Sequence, residues 1–480
     1  MKQIQVKNRL YVLPALLFYI TLQSTEPTQT NTESSPDLDI NRKHHHNPKP
    51  HTTEPYNNYY IAQQNNAGSF DSTFGAGQGY VINTVGTNSA PRAVVTQEDN
   101  KIVAAGIRNN QAMLVRYNNN GELDTDFGNA GIVIQNIGGT SFFNAVAMQE
   151  SCSQKIVAVG ASAGKCVLVR YYDNGTLDTQ FGTRGFIRTD MIGELNAVAV
   201  QKDNKIVVAG YNIYNIADTR IVLMRYDQDG LPDNSFGTDG VVYTHVGRFS
   251  RANAITTTTI HGENKIVIVG EVNLGGGSTD IIVARYHENG MPDESFGPNR
   301  SGIVILDTKR AVNSAYDVVI QQDNKIVIVG SISTTVTTQN QFMTIRLNEN
   351  GSFDTPFGNH QGIIITMPED SRFGDYGSAR SVVLDENEKI ITMGYRIANN
   401  NKDNSFVLFR VNQDGTEDRT FGNNGNQSYT LRLNPTNFNK AEIPVVGAIQ
   451  NDKNKLVLAG MYSGTYSRTA SLMAVARYWN

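Results

Sequence analysis

The sequence predicts an all-β protein, a β-propeller of seven four-stranded blades whose N- and C-terminal strands close the ring. Three observations predict it. A Phe-Gly pair recurs at Phe74, Phe127, Phe181, Phe236, Phe296, Phe357 and Phe421, at intervals of 53, 54, 55, 60, 61 and 64 residues. An Asp stands before each pair, and a Lys-led apolar run and an Arg-bearing run accompany it in fixed order. The runs between these marks are short, β-branched and bounded by Gly, Asn and Asp, with no competing helical period.

Taken in chain order, the N-terminus reads as an export segment. Lys2, Lys7 and Arg9 precede a 13-residue apolar run, Leu10 to Leu22. That length suits a signal peptide and is short for a membrane span. The residues after it fit a cleavage site poorly, so an uncleaved anchor stays open as the one route to a membrane. Residues 23–56 are rich in Thr, Ser, Asn and Pro, with few apolar residues, and are expected to be a disordered linker. The run His44, His45, His46 within it reads as a solvated stretch rather than a metal site. Residues 57–480 are assigned to the propeller.

Copy two shows the four strands. They are Asn144 to Gln149, Lys155 to Gly160, Cys166 to Tyr171 and Gly185 to Asp190. The first and second strands are joined by Asp-Asn pairs, as at Asp99-Asn100, Asp203-Asn204 and Asp323-Asn324, which tolerate the positive φ of tight turns. The first strand is expected innermost, where blades crowd, because it carries Ala93, Ala145, Ala197 and Ala254. The chain ends just after a third strand, so Gly79 to Thr84 is expected to supply the missing fourth and remove the open edges. Tyr59 to Gln63 looks like a third strand that seven blades leave over. It either adds to an edge or hints at a degenerate eighth blade. Cys152 and Cys166 fall at opposite ends of a strand, about 20 Å apart, so no disulfide joins them.

The motifs GELDTDFG from Gly121 and GTLDTQFG from Gly175, the K-I-V-x-x-G strand and the x-x-R-Y strand resemble the delta-60 repeat family. The resemblance covers Gly68 to Tyr478. It implies a propeller of bacterial, often exported, proteins and implies no reaction. The motif's Leu drifts to Phe70, Pro232, Pro292, Phe353 or Glu417, which touches packing rather than chemistry.

Composition narrows the function. The chain of 480 residues is 39% apolar with a net charge of −4, so a nucleic-acid surface is not favoured. Two cysteines exclude a disulfide-stapled scaffold and a cysteine-rich zinc site. The loop Asp of each copy offers one carboxylate, whereas calcium takes six to eight oxygens, so no metal or cofactor is expected. The repeated Arg, Asp and Phe read as structural, represented by Arg116, Asp124 and Phe127, by Arg170, Asp178 and Phe181, and by Arg225, Asp233 and Phe236. Each Arg lies eight residues before an Asp in most copies, which predicts an Arg–Asp latch.

No G-x-S-x-G elbow, phosphate loop or H-E-x-x-H occurs, and no catalytic set stands out. Two readings remain. The favoured one is a non-catalytic binding or scaffold propeller outside the cytoplasm, with a protein or glycan ligand. The alternative is a glycan-acting enzyme with carboxylates gathered at the axis. Binding is expected on the face whose loops vary, formed by second-to-third and fourth-to-first connections. The candidates there are Arg248, Arg251, Arg372, Phe373, Asp375, Tyr376, Arg396, Tyr462 and Tyr466.

Overall fold

The computed structural model describes residues 66–480 apart from 87, 151–153, 216–217, 276, 307–312, 334–339, 368–374, 398–404, 423–430, 433–444, 451–453 and 464–470. The export segment, the His run, Tyr59 to Gln63 and Cys152 lie outside the described residues.

Antiparallel four-stranded meanders make up the molecule. The first comprises β2 (Ser89–Thr96), β3 (Ile102–Arg108), β4 (Gln111–Tyr117) and β5 (Ile132–Gln135). Next come β6 (Ser141–Gln149), β7 (Lys155–Ser162), β8 (Lys165–Tyr172) and the start of β9 (Phe186–Val200). The far half of β9 then leads β10 (Ile206–Asn215), β11 (Asp218–Tyr226) and β12 (Val241–Thr244). β13 (Phe249–Ile260), β14 (Glu263–Asn273), β15 (Asp280–His287) and β16 (Ile303–Leu306) follow. After them stand β17 (Asn313–Ile320), β18 (Ile326–Ser333), β19 (Asn340–Leu347) and β20 (Ile363–Thr366). The next meander holds β21 (Tyr376–Leu384), β22 (Ile390–Ile397), β23 (Ser405–Val411) and β24 (Leu431–Arg432). The last joins β25 (Val445–Ile449), β26 (Lys455–Ser463) and β27 (Ser471–Trp479) to β1 (Tyr80–Asn83), with Tyr80 opposite Ala476 and Asn83 opposite Met473. The fold is an all-β propeller architecture, and among the described residues there is no α-helix.

The two middle strands of each meander are apolar on both faces because a neighbouring meander covers each face. Ile266 and Ile268 pack towards β9–β12, while Val267 and Val269 pack towards β17–β20. This two-sided burial, worth about 1.5–3 kcal/mol per large side chain, explains why the K-I-V run does not alternate with polar residues. The hairpin turns have the expected chemistry, with Asn100 at φ 62°, Asn204 at 64° and Asn324 at 64°.

One finding was not read from the sequence. The copy-two fourth strand does not stop at Asp190. It crosses over as β9 and continues as the innermost strand of the next meander.

The inner strands carry a second unread feature. Each of β2, β6, β9, β13, β17 and β21 holds a β-bulge, at Arg92, Asn144, Asn196, Asn253, Tyr316 and Arg380. The bulge pushes an inner-strand carbonyl against the Gly that ends the K-I-V-x-x-G run. A Cβ on Gly160 would stand 2.0 Å from the Phe142 carbonyl oxygen, and one on Gly210 2.0 Å from that of Glu194. The repeated Gly is therefore a requirement of space, imposed by the bulge.

The repeated Arg, Asp, Lys and Phe form one module. Arg Nε meets Asp Oδ2 at 2.6–2.8 Å in Arg116–Asp124, Arg170–Asp178, Arg225–Asp233, Arg285–Asp293, Arg346–Asp354, Arg410–Asp418 and Arg477–Asp71. The Lys of the K-I-V run reaches the same carboxylate at 2.8–3.6 Å, as Lys155 does for Asp178 and Lys455 for Asp71. The guanidinium lies 4.2–4.8 Å from the centre of the following Phe ring. Its far end donates into the next meander, as Arg170 does to the Gln228 carbonyl and Arg477 to that of Asn119. The other Asp oxygen turns its own loop, Asp178 accepting from Gln180 N at 3.2 Å and Asp233 from Ser235 N at 3.0 Å. Burial alone would raise the Asp178 carboxyl. The hydrogen bond from Lys155 and the Arg170 charge instead hold it below the usual carboxylate range.

Candidate functional site

The two faces differ in chemistry. The lower face carries the Asn-bearing turns and the Phe-Gly loops, so Arg116, Asp124, Phe127 and their counterparts are consumed in building it. Phe127, Phe181 and Phe236 are fully buried there. Among the described residues no group of three or more His, Cys, Asp or Glu is placed to hold a metal ion. The upper face carries the connections that vary.

The bulges aim polar side chains around the axis, just below the upper face. Arg92 donates to Asn144 Oδ1 at 2.7 Å, and Asn144 donates to Asn196 Oδ1 at 3.1 Å and to the Leu195 carbonyl at 3.2 Å. Asn196 donates to the Ala252 carbonyl at 2.9 Å and Asn253 to that of Ala315 at 2.8 Å. Arg380 lies 3.8 Å from the centre of the Tyr316 ring. A belt of side chains thus ties β2, β6, β9, β13, β17 and β21 each to the next. Further along the axis Thr256, Thr257, Thr258, Val319, Ile320, Val383, Leu384 and Ile449 line a cavity of about 330 Å³.

Immediately above the belt each meander with a described bulge presents one cross-strand pair. The residue two before the bulge faces the residue just after the repeated Gly. In the β2–β5 and β6–β9 meanders these pairs are Ala90–Ile107 and Phe142–Ala161. In the β9–β12 and β13–β16 meanders they are Glu194–Tyr211 and Arg251–Glu271. Arg251 Nε binds Glu271 Oε1 at 2.8 Å, and Ser314 Oγ donates to Glu271 Oε2 at 2.6 Å. Asn144 Nδ2 reaches Glu194 Oε2 at 3.4 Å. Burial, with Glu194 beside it, pushes the Tyr211 phenol up to about 12, and Arg251 pulls the other way. Two carboxyl groups, a phenol and a guanidinium therefore gather on neighbouring meanders at the upper mouth of the axis. Glu194 and Tyr211 are half-buried and Arg251 is open to solvent.

The sequence-derived candidates are dispersed. Arg251 belongs to this mouth, and Arg248 stands exposed three residues away on the approach to β13. Asp375 and Arg396 face each other at 3.8 Å in a buried pair, and Tyr376 is half-buried against the β21–β27 core. That core lies on a different sheet from Arg251. Arg372, Phe373 and Tyr466 lie outside the described residues, as does the Tyr462 side chain. Glu194, Tyr211 and Glu271 escaped sequence reasoning. The available signal was the position after the repeated Gly, which reads Ile107, Ala161, Tyr211, Glu271, Ser331, Tyr395 and Met461 while the frame around it hardly changes.

Four stretches, residues 97–127, 201–236, 264–296 and 321–357, match the family model described as "Domain of unknown function (DUF5122) beta-propeller". No curated protein matches the chain. Among solved structures, the polysaccharide lyase Uly1 is similar at 10% identity, with 80% of this chain and 89% of that chain covered and a TM-score of 0.44. The α-L-arabinofuranosidase of Fusarium graminearum is similar at 6% identity, 83% and 98% coverage and a TM-score of 0.40. The α-L-arabinanase of Penicillium chrysogenum is similar at 9% identity, 85% and 96% coverage and a TM-score of 0.37. These neighbours are named as glycan-acting enzymes, and this corrects the expectation of a non-catalytic scaffold. That expectation rested on the lack of a visible reactive set. Likenesses of this depth assign no activity, so a functional reading has to stand on the cluster itself.

Proposed function

We propose that this protein is an exported enzyme that cleaves glycosidic bonds at the upper mouth of its axis. The observation that carries the reading is the convergence of Glu194 and Glu271 there, with Tyr211 and Arg251 between them. Cleavage of a glycosidic bond needs one carboxyl to protonate the departing oxygen and a second to activate water or attack the sugar. The two groups differ in their partners. Glu271 is held by a cation, whereas Glu194 has a phenol and an amide beside it. Arg251, open to solvent, is the group that would first meet substrate.

The same reading includes a closed ring of seven delta-60-type blades. It is supported by seven Arg–Asp–Lys modules, the last made from Arg477, Lys455 and Asp71 at opposite ends of the chain. Export is supported by the basic start and apolar run before the linker.

The test is release of reducing ends from a panel of plant, algal and bacterial polysaccharides by the full chain. Activity should appear on at least one and fall by about 100-fold or more in both Glu194→Gln and Glu271→Gln. Their thermal unfolding should stay that of the wild type. Activity that survives both substitutions would overturn the assignment.

A further inference from the structure

β9 links the mouth to a second surface. Its start pairs with the outer strand β8, and its end is the inner strand beside β10. It therefore runs across the upper face from the rim towards the axis, with Glu194 at the inner end. At the outer end three side chains stack. The Arg220 guanidinium lies 3.6 Å from the centre of the Tyr243 ring and 4.7 Å from that of Tyr214. Arg220 Nε donates to Asn212 Oδ1 at 3.1 Å, which fixes the fork. Its terminal nitrogens have no hydrogen-bond partner among the described residues. The Tyr243 hydroxyl sits 3.6 Å from the sulfur of Met191, three residues along β9 from Glu194. Tyr214 is 62% exposed and Tyr243 42% exposed.

A buried Tyr–Arg–Tyr stack would be packing. An exposed one holds two flat apolar rings and a cation ready in water, with little side-chain freedom left to lose on binding. Aromatic rings suit the C–H faces of sugars, and a guanidinium suits carboxylate or sulfate.

We propose that Tyr214, Arg220 and Tyr243 form a subsite for an anionic polysaccharide, which lies along β9 with its cleaved bond at the Glu194–Glu271 mouth. This deepens the glycan-cleaving reading and rests on it for the second half. Met191 to Glu194 spans about 10 Å of strand, so the bound chain must be a polymer segment rather than a single sugar. The subsite positions substrate and takes no part in bond cleavage.

Calorimetric titration of the full chain tests this with three probes, polygalacturonate, chondroitin sulfate and neutral arabinan. At least one of the two anionic polymers should bind, and which one names the anion. Its Kd should rise about tenfold in Arg220→Gln and in Tyr243→Ala, and stay unchanged in the lower-face control Arg300→Gln. Arabinan binding as tightly as either anion, or the two subsite variants binding as the wild type does, would overturn the proposal. Glu194→Gln and Glu271→Gln separate the two ideas. If they bind normally but the wild type cleaves nothing, the subsite stands and the enzyme reading falls. If cleavage holds while the subsite variants bind normally, the subsite falls alone.

Discussion

Replacing Arg170 by Met should destabilise the propeller by about 3–4 kcal/mol. The Arg170 guanidinium is 3% exposed, binds Asp178 at 2.7 Å and Gln149 Oε1 at 3.0 Å, and donates to the Gln228 carbonyl of the next meander. Met fills the space over Phe181 but leaves the buried Gln149 Oε1 and the part-buried Gln228 carbonyl without this donor, the buried one costing about 1–3 kcal/mol when wholly unpaired. Breaking a buried ion pair on one side costs about 3–5 kcal/mol, and here Lys155 at 2.9 Å still neutralises Asp178. These losses overlap and do not simply add, which places the total near the low end. Lys155→Met removes only the outer cation, whose side chain is 20% exposed, and should cost about 1 kcal/mol. Because unfolding entropy grows with chain length, each kcal/mol moves Tm by about 1–2 °C in a body of this size, so calorimetry should show a clear gap between the two variants. The pH dependence has a fixed sign. Asp178 is lowered in the folded state, so its contribution is present above the unfolded carboxylate pKa and is lost as pH falls through the lower folded value. The difference between wild type and Arg170→Met should therefore shrink on acidification below about pH 4. Equal costs for the two substitutions at neutral pH would refute the module as described.

Three further outcomes are expected. Arg477→Met should cost as much as Arg170→Met, because its partner Asp71 lies 406 positions away and the pair latches the chain's ends; a much smaller loss by calorimetry would mean that the ring is not closed there. Gly160→Ala should cost several kcal/mol, about 3 or more, because its Cβ would meet the Phe142 carbonyl at 2.0 Å. Gly164→Ala, on a turn at φ 74° with open space, should cost about 1–2 kcal/mol, and urea midpoints compare the two. Burial pushes the Cys166 thiol up to about 12, so peptide mapping after thiol labelling at pH 8 should find Cys166 unmodified in native protein and modified in urea.

The frame was legible because it repeats. Phe127, Asp124 and Arg116 recur at matched spacing, and repetition of a residue type reports a shared structural duty. The turn chemistry of Asn100, Asn204 and Asn324 is local, so it too could be read directly. The bulges were not legible. A bulge is a relation between two strands, and its sequence trace is the Gly of the facing strand, which reads equally well as a strand end. The candidate cluster was hidden for a related reason. Glu194 and Glu271 lie 77 positions apart in sequence, on different strands of different copies, and each takes its place from a pairing beside a bulge. Attention to long loops instead selected Arg396 and Asp375, which the fold turns into a buried pair.

The same geometry explains why reactive groups collect on the β9–β12 and β13–β16 meanders. A repeat array gives every meander an equivalent pair of positions above its bulge, and packing asks little of them because they border solvent at the mouth. Ala90–Ile107 and Phe142–Ala161 fill these positions with inert groups. Glu194–Tyr211 and Arg251–Glu271 place charge in them. Unpaired, each carboxylate would be costly so close to a packed core. Arg251 and Ser314 meet that cost for Glu271, and the belt amide Asn144 with Tyr211 meets it for Glu194. The belt thus ties inner strands together and sets an amide beside Glu194. Among the described residues β9 is the one strand shared by two meanders, so a polymer lying along it would meet a continuous edge from rim to axis.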